Sequence, residues 1–239
     1  MMIDETLFGK CGQPEFVGTT LLDTIGLVIP SVSKELKLAA NIPDKISSLG
    51  LLSSRTGAAG QILAADEAIK STNSSAVSIE LPRDTKGWGG HGNFIVIGGK
   101  TVSDARRAVE ISLELAERNA GEVYISDAGH LEFAFSPSAG EALGLAFGAP
   151  KGKAFGFSAA SPAAIGFVLA DFILKSFSVE LLKYMSPAHG TSFSNEVIIA
   201  FTGETSDVKS AVIAARERGT ELLTALGSIP KSPNKPYII

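Results

Sequence analysis

The stretch AADEAIKSTN at residues 64–73 decides the fold, because a second version of it, LADFILKSFS, occurs at residues 169–178. Four identities recur at a constant spacing of 105 residues, namely Ala65/Ala170, Asp66/Asp171, Lys70/Lys175 and Ser71/Ser176. Further along, FIVI at residues 94–97 matches VIIA at residues 197–200, at a spacing of 103. A repeat at a nearly fixed period indicates one structural unit that is present in two copies.

Both copies carry the same order of local patterns. Apolar, strand-like segments come first, followed by a helix, a strand, a glycine-rich loop, another strand and a last helix. Two helices for four or five strands favour a sheet that is covered by helices on one face. The sequence therefore predicts two α/β (α+β) domains in tandem, at residues 16–120 and 121–239, after an N-terminal extension at residues 1–15.

The composition excludes several classes of protein. Hydrophobic residues make up 45% of the 239 residues and charged residues 19%, which is too apolar for a disordered chain. The mean hydropathy of +0.24 indicates surface that is buried against other chains. The net charge of −4 argues against nucleic acid as a partner. Cys11 is the single cysteine, so we expect no disulfide framework, and we expect a cytoplasmic protein without a membrane span or secretion signal.

Classical catalytic and cofactor motifs find little support. The segment GWGGHG at residues 87–92 matches G-x-G-x-x-G, but a strand follows it where a dinucleotide-binding loop needs a helix N-terminus. Of the three histidines, His91, His130 and His189, the two in the glycine-rich loops, His91 and His189, have no carboxylate or cysteine at the spacing of metal ligands. We predict no cofactor, no metal and no catalytic residue. Convergence of the loops on a symmetry axis would create a ring of histidines and reopen the question of a metal.

The two glycine-rich loops, at residues 82–93 and 186–196, are the strongest candidates for a binding function. They are long for connections between neighbouring strands, and long loops are more often functional. The second loop offers serine, threonine, histidine and asparagine groups on a backbone with few bulky side chains, which suits a small polar molecule. A plain connecting loop remains the alternative.

Longer phrases of the sequence resemble a known family, the tandem-domain shell proteins of bacterial microcompartments, among them those of propanediol- and ethanol-utilisation compartments. The resemblance covers more than nine-tenths of the chain, from about residue 16 to residue 239. The phrases that carry it are EFVGTTLLDTIGLVIP, RTGAAGQILAADEAIKSTN, SIELPRDTKGWGGHG, SPAHGTSFSNE and PYI.

The resemblance implies a circularly permuted fold, in which the strand that usually ends each domain comes first. It implies homotrimers that are pseudo-hexameric, because each chain supplies two domains. These trimers would tile with other shell proteins into the facet of a cytoplasmic microcompartment. Encapsulated enzymes, and small alcohols, polyols or aldehydes in the channels, are the other implied partners; nucleic acid and membrane are not. The role is structural rather than enzymatic. An enzyme or small-molecule sensor with its site in the loops of His91 and His189 is the alternative.

By the same resemblance, individual residues take two roles. The residues expected at the edge between tiles are Lys70, Asn73, Lys175 and Ser178. The residues expected in the loops that face the pore and channels are Arg83, Asp84, Lys86, Trp88, His91, Ser186, His189, Thr191, Ser192 and Asn195. The indole of Trp88 is bulky and would narrow the opening.

Overall fold

The computed structural model describes residues 11–83 and 91–239, which form two five-stranded antiparallel sheets. Sheet 1 consists of β1 (Phe16–Thr20), β2 (Thr24–Ile29), β3 (Ser48–Ser54), β4 (Ser74–Glu80) and β5 (Asn93–Gly99). Sheet 2 consists of β6 (Val123–Ser126), β7 (Gly129–Ser136), β8 (Ala154–Ser161), β9 (Val179–Met185) and β10 (Val197–Gly203). The strand orders, β1-β2-β3-β5-β4 and β6-β7-β8-β10-β9, are the same. The predicted tandem fold is confirmed.

Two long helices cover one face of each sheet. The helices of the described chain are α1 (Lys34–Ala39), α2 (Ala59–Lys70), α3 (Val102–Asn119), α4 (Glu141–Phe147), α5 (Ala163–Ser176) and α6 (Thr205–Thr224). α2 and α3 pack on sheet 1, and α5 and α6 pack on sheet 2. α3 lies close to its sheet because Gly26 and Gly50 have no Cβ, which at either position would come within 2.6 Å of the Val109 side chain.

The short helices α1 and α4 were not expected, and they lie on the opposite face of their sheets. α4 rests on sheet 2 through Phe147, whose ring centroid is 5.5 Å from that of Phe155 and 5.3 Å from that of Phe157. α1 lies beside a cleft of about 530 Å³ lined by Leu36 and Leu51, and none of its residues is buried. Helices of six or seven residues are too short for their periodicity to be recognised in a sequence.

α4 also joins the two domains, because it packs on α2 and β4 of the first domain. Its N-terminus has no capping side chain of its own. Instead, the buried carboxylate of Asp66 on α2 accepts hydrogen bonds from the backbone N–H groups of Gly140 (2.8 Å) and Leu143 (3.1 Å). One buried apolar cluster, which holds Ile62 from α2 and Phe147 from α4, is continuous across the junction.

The buried carboxylate of Glu122 fixes the segment that connects the domains. The chain leaves α3 through a 3-10 turn, Ala120–Glu122. Glu122 accepts hydrogen bonds from Arg216 of α6 at 3.0 and 3.1 Å, and from the backbone N–H groups of Tyr237 and Ile238 at 2.9 Å. The segment that leads to residue 239 is therefore fixed against the junction.

Candidate functional site

The two glycine-rich loops meet at the boundary between the domains. Arg83 and His91 pair through their backbones as an isolated antiparallel bridge, which closes the base of the first loop. Nη1 of Arg83 donates to the carbonyl of Ser192 in the second loop, at 3.4 Å. His91 contacts Glu196, which directly precedes β10. The structure thus brings the two candidate binding loops together within one chain.

Beneath the loops, two histidines share one carboxylate; we call His91, His130 and Glu196 the histidine cluster. Nδ1 of His91 contacts Oε1 of Glu196, and Nε2 of His130 lies 3.2 Å from Oε2. All three side chains are buried. His91 belongs to the first domain, and the other two belong to the second. The cluster is therefore a polar contact across the domain boundary, and removal of one member would leave buried polar groups without partners.

Opposing effects set the pKa of the Glu196 carboxyl. Burial raises this pKa because the charged form loses its hydration, but hydrogen bonds from His130 and His91, together with their charge, outweigh burial. The net result lowers the pKa of Glu196 to about 2. The carboxylate is therefore ionised throughout the neutral range, and both imidazoles face a lasting negative charge.

A second buried carboxylate, Glu132 on β7, lies at the N-terminus of α2. Its Oε1 accepts hydrogen bonds from the backbone N–H groups of Ala58 (3.0 Å) and Ala59 (2.8 Å). Burial raises the pKa of Glu132, against the effects of the Ala58 hydrogen bond and the charge of His130. α2 has no capping side chain of its own, so a strand of the second domain supplies the acceptor that its first turn lacks.

Much of the polar set in the second loop serves the fold. Ser186 and His189 exchange two backbone hydrogen bonds of 2.8 Å, which form a tight turn. Thr191 is buried, and its hydroxyl donates to a carbonyl of the same loop at 3.1 Å. Oδ1 of Asn195 accepts from the first N–H of α5 at 3.2 Å. Thr191 and Asn195, both expected to face a channel, therefore have their functional groups engaged within the chain.

Exposed groups of the second loop include an imidazole and a phenyl ring. His189 and Ser192 are exposed, and Phe193 beside them is 78% exposed. Ser192 and Phe193 have φ angles of +48° and +65°, in the left-handed region that residues with a side chain rarely adopt. Asp84, Lys86 and Trp88, which were expected to line the pore, lie outside the described residues.

The predicted edge lysines differ in their surroundings. The ammonium of Lys70 lies 2.9 Å from Asp66 and contacts the carbonyl of Ser138 in the second domain. Lys175 is far more exposed and forms a 2.8 Å ion pair with Asp171. Lys70 therefore contributes to the contact between domains, whereas Lys175 is available to a neighbour. The other two expected edge residues, Asn73 and Ser178, are both exposed.

Sequence reasoning missed the two buried glutamates and the partnership of His130. Glu196 and His130 are 66 residues apart, and no spacing rule links them. The sequence did contain one signal of these buried acids. Glu132 interrupts the otherwise apolar strand HLEFAF, and Glu196 directly precedes the apolar strand in NEVIIAF. A glutamate in such a position is almost never buried unless it has a partner.

The second domain leaves an apolar face open on α5 and β9. Phe167 of α5 is 59% exposed, and Val168 and Leu174 on the same helix are also exposed. The Phe167 ring packs edge-on against Tyr184 of β9, with centroids 6.4 Å apart. Exposed apolar patches of this kind mark surfaces that contact other molecules.

The equivalent face of the first domain is covered. The repeat spacing of 105 aligns Phe167 with Ile62, Val168 with Leu63 and Leu174 with Ile69. These three residues of α2 are buried, with Ile62 fully inaccessible, in the apolar cluster that α4 completes. The first domain thus shows, within one chain, what kind of surface packs on such a face.

Within residues 11–83 and 91–239, no group of three or more histidine, cysteine, aspartate or glutamate side chains is placed to hold a metal ion. No helix in this part of the chain has the length and apolar character needed to cross a membrane. What the described residues offer chemically is hydrogen bonding at the loops, ion pairs at the junction and apolar surface at α5.

Comparison with known proteins identifies relatives over almost the whole chain. The family model described as "BMC domain" matches residues 48–128 and 154–232. Each match begins at the first residue of a strand, β3 in the first domain and β8 in the second. The chain is 50% identical over 229 residues to the bacterial microcompartment shell protein PduB of Citrobacter freundii, covering 96% of this chain and 85% of that protein. It is 47% identical to the PduB of Limosilactobacillus reuteri, covering 94% and 95%.

Solved structures agree. A trimeric bacterial microcompartment shell protein PduB superposes with a TM-score of 0.90 at 46% identity, covering 94% of this chain and all of that one. EtuB from Clostridium kluyveri superposes with a TM-score of 0.91, also at 46% identity, covering 94% and 98%.

Proposed function

We propose that this chain, which belongs to the BMC domain family and is a bacterial microcompartment shell protein, forms one third of a closed tile in the shell facet. Family membership rests on the two matched stretches and on the identity to shell proteins over nearly the whole chain. These relatives are shell proteins and not enzymes, in agreement with the structural role expected from the sequence. In the tile, three chains supply six domains of one fold.

The observation that carries the trimer is the contrast between the two apolar faces. Within the chain, α4 and β7 of the second domain lie on α2 and β4 of the first. In the first domain, α1 and β2 hold the places that α4 and β7 hold in the second. A second copy that seats its α1 and β2 on α5 and β9 therefore repeats between chains the contact that each chain makes within itself.

Such a contact joins two unlike surfaces, so it makes a ring where its rotation closes and a filament where it does not. The solved relative that is described as trimeric supports closure with three chains. α1 has the features of a counterpart for α5 and β9, because Leu36 and Leu38 are exposed and the cleft beside α1 is open. Burial of both apolar surfaces stabilises the ring.

Phe167→Glu tests the trimer. A glutamate at this position would be buried in the interface without a partner, at a cost of several kcal/mol, so the trimer should dissociate. Native mass spectrometry should show about 74 kDa for the wild type, three times the 24.8 kDa of one chain, and a monomer for the variant.

Leu145→Glu is the matched control. Leu145 is 53% exposed although α4 has already formed its contact within the chain, so this position lies outside the contact and the variant should stay trimeric. A trimeric Phe167→Glu variant, or equal dissociation of both variants, would contradict the proposed interface.

The finer roles are part of the same proposal. Lys70, Asn73, Lys175 and Ser178 contribute to the seam between tiles, with the exposed stem and ammonium of Lys175 reaching the neighbour. Lys175→Ala should leave the trimer mass unchanged and weaken sheets of tiles seen by electron microscopy. Lys70→Ala should also loosen the domain junction, because Lys70 contacts the Ser138 carbonyl.

The convergence of the two loops supports a channel at the domain boundary. The exposed His189, Ser192 and Arg83 would offer a donor or acceptor to a small polar metabolite that crosses the shell. Other shell proteins and encapsulated enzymes complete the proposed set of partners. Measuring the flux of a small alcohol through sheets of wild-type and Arg83→Ala protein would test the channel. Equal flux through both would show that these groups do not line it.

A further inference from the structure

Each domain has a cleft beside one of its predicted edge residues, and the two clefts occupy equivalent places. Cleft 1, about 550 Å³, lies between the start of β4, the end of β5 and the segment before β3. Cleft 2, about 420 Å³, lies between the start of β9, the end of β10 and the segment before β8. The predicted edge residues Asn73 and Ser178 line cleft 1 and cleft 2, respectively.

The two clefts carry opposite charges. Lys45 and Lys100 line cleft 1; both are exposed, and neither forms an ion pair among the described residues. The acid of cleft 1, Asp104, is engaged at the N-terminus of α3, where its Oδ2 accepts from the Thr101 hydroxyl at 2.7 Å. Cleft 1 therefore presents two unengaged ammonium groups.

Cleft 2 presents two carboxylates instead. Glu180 and Glu204 are exposed and form no ion pair among the described residues, with Lys153 as a cation on the same lining. The charges differ at positions that the repeat aligns, since Glu204 corresponds to Thr101 and Lys100 corresponds to Gly203. The second copy thus carries an acid where the first carries a neutral group, and a neutral group where the first carries a base.

The alternation of domains around a three-chain ring gives this difference a consequence. Six edges then follow one another as first, second, first, second, first and second domain. Opposite edges are three steps apart, so they always belong to unlike domains. When identical tiles repeat by translation, every edge meets the opposite edge of its neighbour, and every seam joins a first domain to a second domain.

We infer that tiles of this protein pair unlike edges, with the lysines of cleft 1 on one tile facing the glutamates of cleft 2 on the next copy. The inference rests on the proposed shell role and adds the partner of each edge. Charge complementarity of this kind fixes register and disfavours seams between like edges, where lysine would face lysine or glutamate would face glutamate. The pairs are exposed to solvent, so salt should weaken the sheets.

Charge reversal tests the inference. Variant A carries Lys45→Glu and Lys100→Glu, and variant B carries Glu180→Lys and Glu204→Lys, so in each variant both kinds of edge have the same sign. The critical protein concentration for sheet formation, measured by light scattering and electron microscopy, should rise at least about fivefold for either variant alone. Variant AB, with all four changes, restores opposite signs and should return to within about twofold of the wild type.

The outcomes separate the inference from the proposed function. Sheets of A and B at the wild-type concentration would overturn the inference, and so would failure of AB to recover while it remains trimeric. Wild-type trimers that form no sheets alone would also overturn it, because the partner of the edge would then be a different protein. Loss of the trimer in the wild type would overturn the proposed function itself.

Discussion

Glu196→Gln probes the histidine cluster, where one carboxylate serves two imidazoles across the domain boundary. A pKa of about 2, against the ordinary value of 4.5, corresponds to about 3 kcal/mol of stability at neutral pH, because each pKa unit is worth about 1.4 kcal/mol. The amide keeps the shape of the side chain but has no charge, and its NH₂ group would face an imidazole. We expect the free energy of unfolding to fall by about 2–3 kcal/mol at pH 7.

The pH dependence has a definite sign. Because the pKa of Glu196 is lower in the folded state, its stabilisation is complete above the unfolded pKa of about 4.5 and is lost as the pH falls towards about 2. At pH 3 less than half of this stabilisation should remain. The difference between wild type and Glu196→Gln should therefore shrink by about half or more between pH 7 and pH 3.

Urea unfolding followed by circular dichroism, at one protein concentration, measures both effects. Glu114→Gln is the matched control, because Glu114 is exposed on α3 and its change should alter stability by less than about 0.5 kcal/mol. The reasoning would be refuted if Glu196→Gln were as stable as this control at pH 7. A loss of the same size at pH 7 and pH 3 would also refute it.

Three other buried carboxylates give further predictions, and urea unfolding checks those for Glu132 and Asp66. Glu132→Ala should lower the free energy of unfolding by about 1–3 kcal/mol, because the first turn of α2 loses its hydrogen-bond acceptor. Glu132→Gln should lower it by less, because the amide keeps an acceptor oxygen and burial already raises the pKa of Glu132. Asp66→Ala should lower the free energy of unfolding of the single chain by about 1–3 kcal/mol. Asp171 occupies the aligned position but is exposed, so Asp171→Ala should weaken only the trimer, as measured by native mass spectrometry. Glu122→Ala should release the segment held at Tyr237, seen as faster amide exchange there.

Local pattern and repetition were sufficient to predict most of the fold. The apolar strands and the two longer helices of each copy show their periods in the sequence, and the spacing of 105 shows that one unit occurs twice. α1 and α4 were not predicted from the sequence, because two turns of helix show too little hydrophobic periodicity to be recognised. Their positions were set by packing, as with Phe147 against Phe155 and Phe157.

The candidate site was predicted only in part. Arg83, His91 and Ser192 were expected in binding loops, and the structure brings these loops together. The loops meet over His130, which lies on β7, and Glu196, which directly precedes β10, and their contact depends on how the sheets dock. Thr191 has a hydroxyl group that could bind a ligand, but this hydroxyl is buried and forms a hydrogen bond within the loop.

By itself, the sequence determined that two copies of one α+β unit lie in tandem, because strand and helix periods and the repeat are properties of neighbouring residues. Only the tertiary structure decided which copy of each repeated surface is covered. Ile62 and Phe167 occupy aligned positions on equivalent helices, yet Ile62 is inaccessible and Phe167 is open. The difference arises because burial depends on which element lies on a face, and α4 lies on one of these faces and on no other in the described chain.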